Sequence, residues 1–396
     1  MPSDGSHGIL SPKSLAFFAA SGSSVLLLFL QGSINYRQIK LFIFALFAAC
    51  FLLAWLILGS IDIQQQGYWQ SDQAKLFLIT LAVPLMGIYL VNERLLSIQA
   101  IFQTVFAASF LHCSAKLIFV ILHLLGVISI WDMMRFFGIR FMPMGIYGSL
   151  ERMQTSVDII TPFIVFFVLQ SRRLQVGCHR WLVGAYVVVS CLANFLSFSR
   201  LLFFVYGFSL VLSALSLPIK KLASLAMGCA LVILIIFSYV GMGPIQEIVE
   251  QRLFSNDSYL SDETRWQQMS ALWGEYESHL WFGKGMGGYV KDFIRDDQLP
   301  YSYEVQWLAF LMQFGLIGWL LIWTPLLFLA WRFISYPMTR TRLSFLALFG
   351  LWLLSGLTNP FLISLTSAVL YTLFYFAAEL LQRRPSEFKL KSVSPT

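Results

Sequence analysis

The chain has 396 residues and a formal net charge of +7; 58% of the residues are hydrophobic, 16% aromatic and only 12% charged. Soluble globular domains carry about 25% charged residues, so this composition excludes an ordinary soluble enzyme and reads as one integral membrane domain over residues 1–396. The basic excess is not a nucleic-acid patch, because Lys and Arg sit at the ends of apolar runs, where the positive-inside rule accounts for most of them.

A bilayer core is crossed by about 20 apolar residues in a helix. In chain order the apolar runs are 15–30, 41–60, 76–91, 98–130, 159–170, 181–196, 201–217, 222–240, 307–331, 343–357 and 362–381. They predict an all-α polytopic membrane protein of about eleven transmembrane helices. The first run lacks a basic leader and reads as a span, not a cleaved signal. The fourth is too long for a simple span and is interrupted by His112, Lys116 and His123. The fifth must begin nearer Ser156 to cross. Of the five Cys, Cys50, Cys113, Cys191 and Cys229 lie in apolar runs and Cys178 in a short basic loop, a pattern of buried small residues with no disulfide framework or metal site.

Lys and Arg in short loops mark the cytoplasmic side. Arg37 and Lys40, Arg172, Arg173 and Arg180, Lys220 and Lys221, Arg332, Arg340 and Arg342, and the tail residues Arg383, Arg384, Lys389 and Lys391 all fall on one side if spans alternate. The opposite side then holds the N-terminus, residues 61–75, 131–157 and 197–200, and the long segment 243–306. That segment is no linker. It carries Glu247, Glu250, Asp257, Asp262, Glu263, Glu275, Glu277, Asp292, Asp296, Asp297 and Glu304, more than half of the chain's 20 acids. Trp266, Met269, Trp273, Tyr276 and Leu280 recur at helical spacing, with Asp262 placed to cap the helix. Such a helix is expected to lie on the bundle's outer surface and roof a cavity.

Four polar clusters fall on the outer side. Ser197-Phe198-Ser199-Arg200 breaks two spans, and the positive-inside rule does not explain Arg200. Arg200 is read either as an anion clamp, whose paired donors match phosphate, or as a snorkelling interfacial Arg. Arg265 is a second jaw of that clamp or a surface partner of Glu263 or Asp262. Gly283-Lys284-Gly285-Met286-Gly287-Gly288 formally matches a dinucleotide-binding pattern but lacks any βαβ context. It predicts a tight turn or a close approach to a ligand, with Lys284 adding charge, against a plain loop. Glu304 lies in Tyr301-Ser302-Tyr303-Glu304-Val305-Gln306-Trp307, about one turn before a span. A partly desolvated carboxylate there suits a general base; a solvated acid at a helix start is the alternative. No Ser/His/Asp set or HExxH occurs, and His279 stands alone.

Together and in this order, these clusters resemble the O-antigen ligase/polymerase superfamily of bacterial envelope glycan enzymes. Ser-Phe-Ser-Arg ending at Arg200 is similar to that family's Ser-Arg hairpin, Arg265–Gly288 to its R…W…GxGxG segment, and Leu357-Thr358-Asn359-Pro360 to a late motif. Ligases there carry a His eleven residues before the first Gly of a GxxG; counting back from Gly315 reaches Glu304 instead, which looks more like the polymerase branch. The resemblance implies a GT-C-like fold with one large periplasmic loop in the inner membrane and no metal or nucleotide cofactor. The implied donor is a glycan on undecaprenyl pyrophosphate, and the acceptor is a lipid-linked repeat unit delivered by a flippase, with a chain-length regulator as a further partner. Arg200 and Arg265 would hold the pyrophosphate and Glu304 would act as base. Tyr301, Tyr303, Trp307 and Trp273 would stack on sugars, unless they only mark the membrane interface. Arg140 and Arg152 would be secondary phosphate contacts. A ligase, or a transporter of lipid-linked glycan, is the rival expectation; transporters usually show repeats and midplane charges, whereas Lys116 is the only basic residue deep in a run here.

Overall fold

The computed structural model describes residues 36–61, 69–129, 132, 145–147, 150–151, 153–197, 199–216, 227, 256–294, 296–297 and 299–382. Among them are ten helices: α1 (Tyr36–Ile61), α2 (Trp69–Asn92), α3 (Ile98–Leu124), α4 (Thr161–Leu169), α5 (Arg180–Phe195), α6 (Arg200–Ser216), α7 (Asn256–Glu277), α8 (Gln306–Ile334), α9 (Arg340–Ser355) and α10 (Leu365–Gln382). Nine coincide with predicted apolar runs, and α7 with the predicted loop helix. The runs 15–30 and 222–240 lie outside the described residues, as do Arg140 and Arg152. Five helices, α1, α2, α3, α8 and α10, are long and apolar enough to cross a membrane. Among the described residues the one departure from helix is a small antiparallel ribbon pairing β1 (Gly145–Tyr147) with β2 (Leu150–Glu151).

The long fourth run ends earlier than its hydrophobicity suggests. Gly126 adopts φ +71°, Gly126 N donates to His123 O and Val127 N to Leu122 O. That is a Schellman ending, which closes α3 at Leu124 whatever the polarity of the next residues.

Two groups of helices make up the bundle. In one, α2 packs against α1 and α10, and α8 against α9 and α10. In the other, α4 packs against α3, α5 and α6. The α6–α9 contact joins the groups. Residues 161–168 of α4 are all buried, as expected of a helix that is apolar all round. Aromatic side chains fill the seam between groups: Phe166 meets Phe345 edge-on at 4.8 Å, and Phe163 meets Trp352 at 5.3 Å.

The structure corrects the expected lie of α7. Its buried face carries Gln268, Leu272 and Tyr276, whereas Trp266, Met269, Trp273 and the following Leu280 are exposed. The apolar spacing predicted the helix, but most of those residues do not face the bundle.

Candidate active site

The glycine-rich segment is where the late polar loop grips the bundle. Helix α8 breaks at Gly315, whose φ is +63°. A break frees backbone groups that must be satisfied elsewhere. Here Lys284 N donates to Met312 O at 3.0 Å and Gly285 N to Gln313 O at 2.8 Å. In return Leu316 N donates to Leu280 O and Ile317 N to Trp281 O. Trp55 Nε1, from α1, donates to Phe314 O and Phe282 O. A Cβ on Gly283 would lie 2.4 Å from Gly315 N, and one on Gly285 2.1 Å from Gly59 N. The close approach read from the glycines is therefore made to the protein's own helices α8 and α1. Lys284 is turned back onto α7, with Nζ 2.8 Å from Glu275 Oε1 and 3.1 Å from Tyr289 O.

Below this staple, two buried amides hold the loop's backbone, one through its carbonyls and one through an N–H. Gln313 Nε2 donates to Gly288 O at 2.9 Å and to Tyr301 O at 3.1 Å. Its Oε1 accepts from Gln73 Nε2 at 2.7 Å, and Gln73 Oε1 accepts from Gly287 N at 2.6 Å. A glutamine in an apolar run is the signal that could have flagged Gln313, since a buried amide must find partners. A narrow crevice beside these amides is lined by Gln73, Tyr301, Ser302, Gln306, Gln313 and Pro360. Gln306 Oε1 accepts from Leu362 N at 2.7 Å. The late motif around Pro360 thus meets the Tyr301–Glu304 segment.

Arg265 and Glu304 are brought together directly. Arg265 Nε lies 2.8 Å from Glu304 Oε2, with side chains 25% and 16% exposed. Gln268, one turn along α7, accepts from Glu304 N through Oε1 at 3.2 Å, and its buried Nε2 has no partner among the described residues. Arg265 thus reaches the far end of the loop.

The remaining predicted residues divide. Arg200 opens α6 and is exposed; the preceding Ser197 is buried and donates to Asn194 O at 2.6 Å. Tyr303 is 1% exposed, its hydroxyl accepting from Val290 N at 2.8 Å, and burial raises its pKa to about 12. Tyr301 is buried against the crevice, and burial raises its pKa as well. Trp307 stacks on Trp323 with centroids 4.4 Å apart and donates from Nε1 to Leu353 O. The rings of Tyr303 and Trp307 are taken up by the protein itself, Tyr301 lines the crevice, and Trp273 is exposed.

With the geometry of the loop established, its likeness to known proteins can be placed. Residues 185–323 match the model of a family described as O-antigen ligase. No curated protein matches the chain, and no solved structure does. The matched stretch runs from α5 to the middle of α8, roughly a third of the chain. It contains Arg200, Arg265, Lys284, Tyr301, Tyr303, Glu304 and Trp307. The chain is a multi-pass membrane protein whose residues 185–323, the late polar loop among them, are similar to that family. Among the described residues no group of three or more His, Cys, Asp or Glu could hold a metal ion.

A pairing missed by sequence reading involves Lys116, in the C-terminal half of α3. Lys116 Nζ is 2.8 Å from Asp158 Oδ2 and 2.7 Å from Ala193 O, with both side chains buried. Ala193 is in the last turn of α5, where carbonyls lack helical partners, so Lys116 caps the helix that leads into the Arg200 hairpin. Asp158 Oδ2 also accepts from Thr155 N at 2.7 Å, and Thr155 Oγ1 accepts from Asp158 N at 3.2 Å. That reciprocal pair has the pattern of a capping box, and Thr155-Ser156-Val157-Asp158 was its sequence signal.

Proposed function

We propose that this chain is a glycosyltransferase of the bacterial inner membrane that works at the periplasmic face. It polymerises O-antigen, or a related surface polysaccharide, from repeat units carried on undecaprenyl pyrophosphate. The 2.8 Å pair of Arg265 with Glu304 carries the reading. It places a guanidinium suited to phosphate beside a carboxylate suited to proton transfer, within the stretch that resembles the O-antigen ligase family.

In this reading the pair is the resting state. An arriving pyrophosphate carries more negative charge than Glu304 and competes for the guanidinium, with Arg200 as a second cation from the α5–α6 hairpin. Turning Arg265 to the phosphate releases Glu304. The acceptor hydroxyl oxygen then bonds to the anomeric carbon of the donor glycan. The bond from that carbon to the pyrophosphate oxygen breaks, the carrier leaves with the electron pair, and the hydroxyl proton passes to Glu304. The arginines stabilise charge developing on the leaving group. Donor binding therefore switches on the base. Tyr301, on the crevice, contacts acceptor sugar; Tyr303 and Trp307 hold the Glu304 segment in place, and Lys284 ties the glycine turn to α7. A flippase supplies the acceptor, and a chain-length regulator is a further partner.

The second reading is a ligase that joins glycan to lipid A core, favoured by the description of the matched family and opposed by Glu304 where ligases of that resemblance carry His. Gel ladders of surface polysaccharide from a deletion strain separate the readings. A single repeat unit on the core is the expected result. Polymer left on the lipid carrier with none on the core would make the chain a ligase, and lipid-linked units stranded on the cytoplasmic face would make it a transporter.

A further inference from the structure

We infer that the outer face of α7 and the turn after it form a membrane-interface seat. Its occupant is the glycerol and upper acyl region of the outer-leaflet phospholipids, and the helix is not a roof standing in water. The inference rests on the side of the membrane proposed above and not on the reaction.

The first observation is the distribution of side chains around α7. At 100° per residue, with Trp266 at 0°, Trp273 falls at about 340° and Met269 at about 300°. The buried residues Gln268, Leu272 and Tyr276 fall at about 200°, 240° and 280°. The exposed polar residues Glu277, Ser270, Glu263 and Gln267 follow from about 20° to 100°. The helix therefore has three faces: one against the bundle, one polar, and between them a narrow exposed stripe of two tryptophans and a methionine. A helix lying in a membrane interface presents such a lateral apolar stripe, and Trp is enriched at that depth.

The second observation is continuity with a lipid-facing surface. The stripe runs on into Leu280, Trp281 and Phe282, which are exposed, Trp281 by 62%. Leu280 O and Trp281 O are bonded to Leu316 N and Ile317 N at the break in α8. From that break, α8 continues through residues 316–334 for about 28 Å at 1.5 Å per residue, the thickness of a bilayer's hydrocarbon core at about 30 Å. Its exposed Ile317 and Leu320 begin that stretch. The backbone bonds thus fix Leu280–Phe282 at the outer boundary of the hydrocarbon, beside side chains that face lipid.

The seat has a consequence for charge. Arg265 precedes Trp266 and sits at about 260°, on the bundle flank of the stripe. Seating the stripe at the glycerol level puts the guanidinium at the level of lipid phosphates.

The test uses the full chain reconstituted in phosphatidylcholine vesicles. A nitroxide is attached at Trp273→Cys in a background with the native cysteines replaced. Collisions with oxygen are expected to exceed those with a water-soluble nickel complex several-fold. Nickel dominance would mean a water-exposed roof, and low accessibility to both would mean coverage by protein; either result overturns the seat. If the cysteine-free chain fails to fold, the native chain is compared with Trp273→Phe and Trp281→Phe in brominated lipid. The tryptophan signal each variant lacks should be quenched more by bromine near the glycerol than by bromine near the methyl end. Signal unquenched at either depth sinks the inference.

Discussion

Arg265 Nε and Glu304 Oε2 lie 2.8 Å apart although 39 positions separate them in the chain. One residue belongs to the first half of the loop helix α7, the other to the turn that opens α8. The contact closes the late polar loop on itself and sets the two groups with the clearest chemistry against each other.

Removing this pair should separate stability from activity. A partly exposed ion pair contributes only about 1 kcal/mol, whereas a general base contributes about 10²–10⁴-fold in rate. Glu304→Gln should therefore melt within a few degrees of the native protein in detergent yet restore no polymer ladder in a deletion strain. Arg265→Lys should retain more activity than Arg265→Ala, because Lys keeps the charge and loses only the fork. Normal ladders from well-expressed Glu304→Gln would sink the base assignment.

Gln268 offers a finer test of the same site. Gln268→Leu deletes the contact to Glu304 N but also removes a buried donor with no partner among the described residues. An unsatisfied buried group costs about 1–3 kcal/mol, so the two effects on stability oppose each other. Stability should change by less than about 1 kcal/mol, and activity should fall as the Glu304 segment loosens. A large loss of stability with normal turnover would contradict this.

The Lys116–Asp158 pair should show the asymmetry of a buried ion pair. Lys116→Met leaves the Asp158 charge buried and is expected to cost about 3–5 kcal/mol. The double variant Lys116→Met with Asp158→Leu should recover much of that loss. Thermal unfolding of the two in the same detergent reads the difference, and an equal or greater loss in the double variant would contradict the pairing.

Two glycines only nine positions apart should respond oppositely to alanine. At Gly283 the backbone has φ +69° and a Cβ would meet Gly315 N at 2.4 Å, so Gly283→Ala should abolish stable expression. At Gly274, on the exposed side of α7, a Cβ meets nothing within 4 Å. Gly274→Ala should stabilise the helix by up to about 1 kcal/mol. Expression yield and melting temperature check both.

Tyr303 gives a pH dependence. Its pKa is raised by burial to about 12, from the ordinary 10. The folded chain keeps the proton that the unfolded chain loses, so this contribution is complete below pH 10 and is lost as pH rises to about 12. Tyr303→Phe should remove that part of the alkaline loss, seen as a shallower fall in melting temperature from pH 10 upward. An unchanged slope would mean the phenol does not titrate differently in the two states.

Composition and run length alone determined that this protein is a membrane bundle with a polar loop late in the chain, because hydrocarbon tolerates little but long apolar helices. The spacing of Trp266, Met269 and Trp273 determined that the loop contains a helix, because periodicity is a local property. It could not say which side that helix buries, because Gln268 is drawn inward by a hydrogen bond to a residue 36 positions away. The glycine cluster suggested in sequence a tight turn or a close approach, against a plain loop, since glycine tolerates both. What approaches, the broken helix α8 at Gly315, was decided by tertiary packing. The same holds for Lys116, legible as an intramembrane charge, and for Asp158, its partner from another segment. Arg265 and Glu304 were both legible as reactive side chains. That they hold each other followed only from the folded loop, because an ion pair is a distance between side chains, and distance along the chain does not fix it.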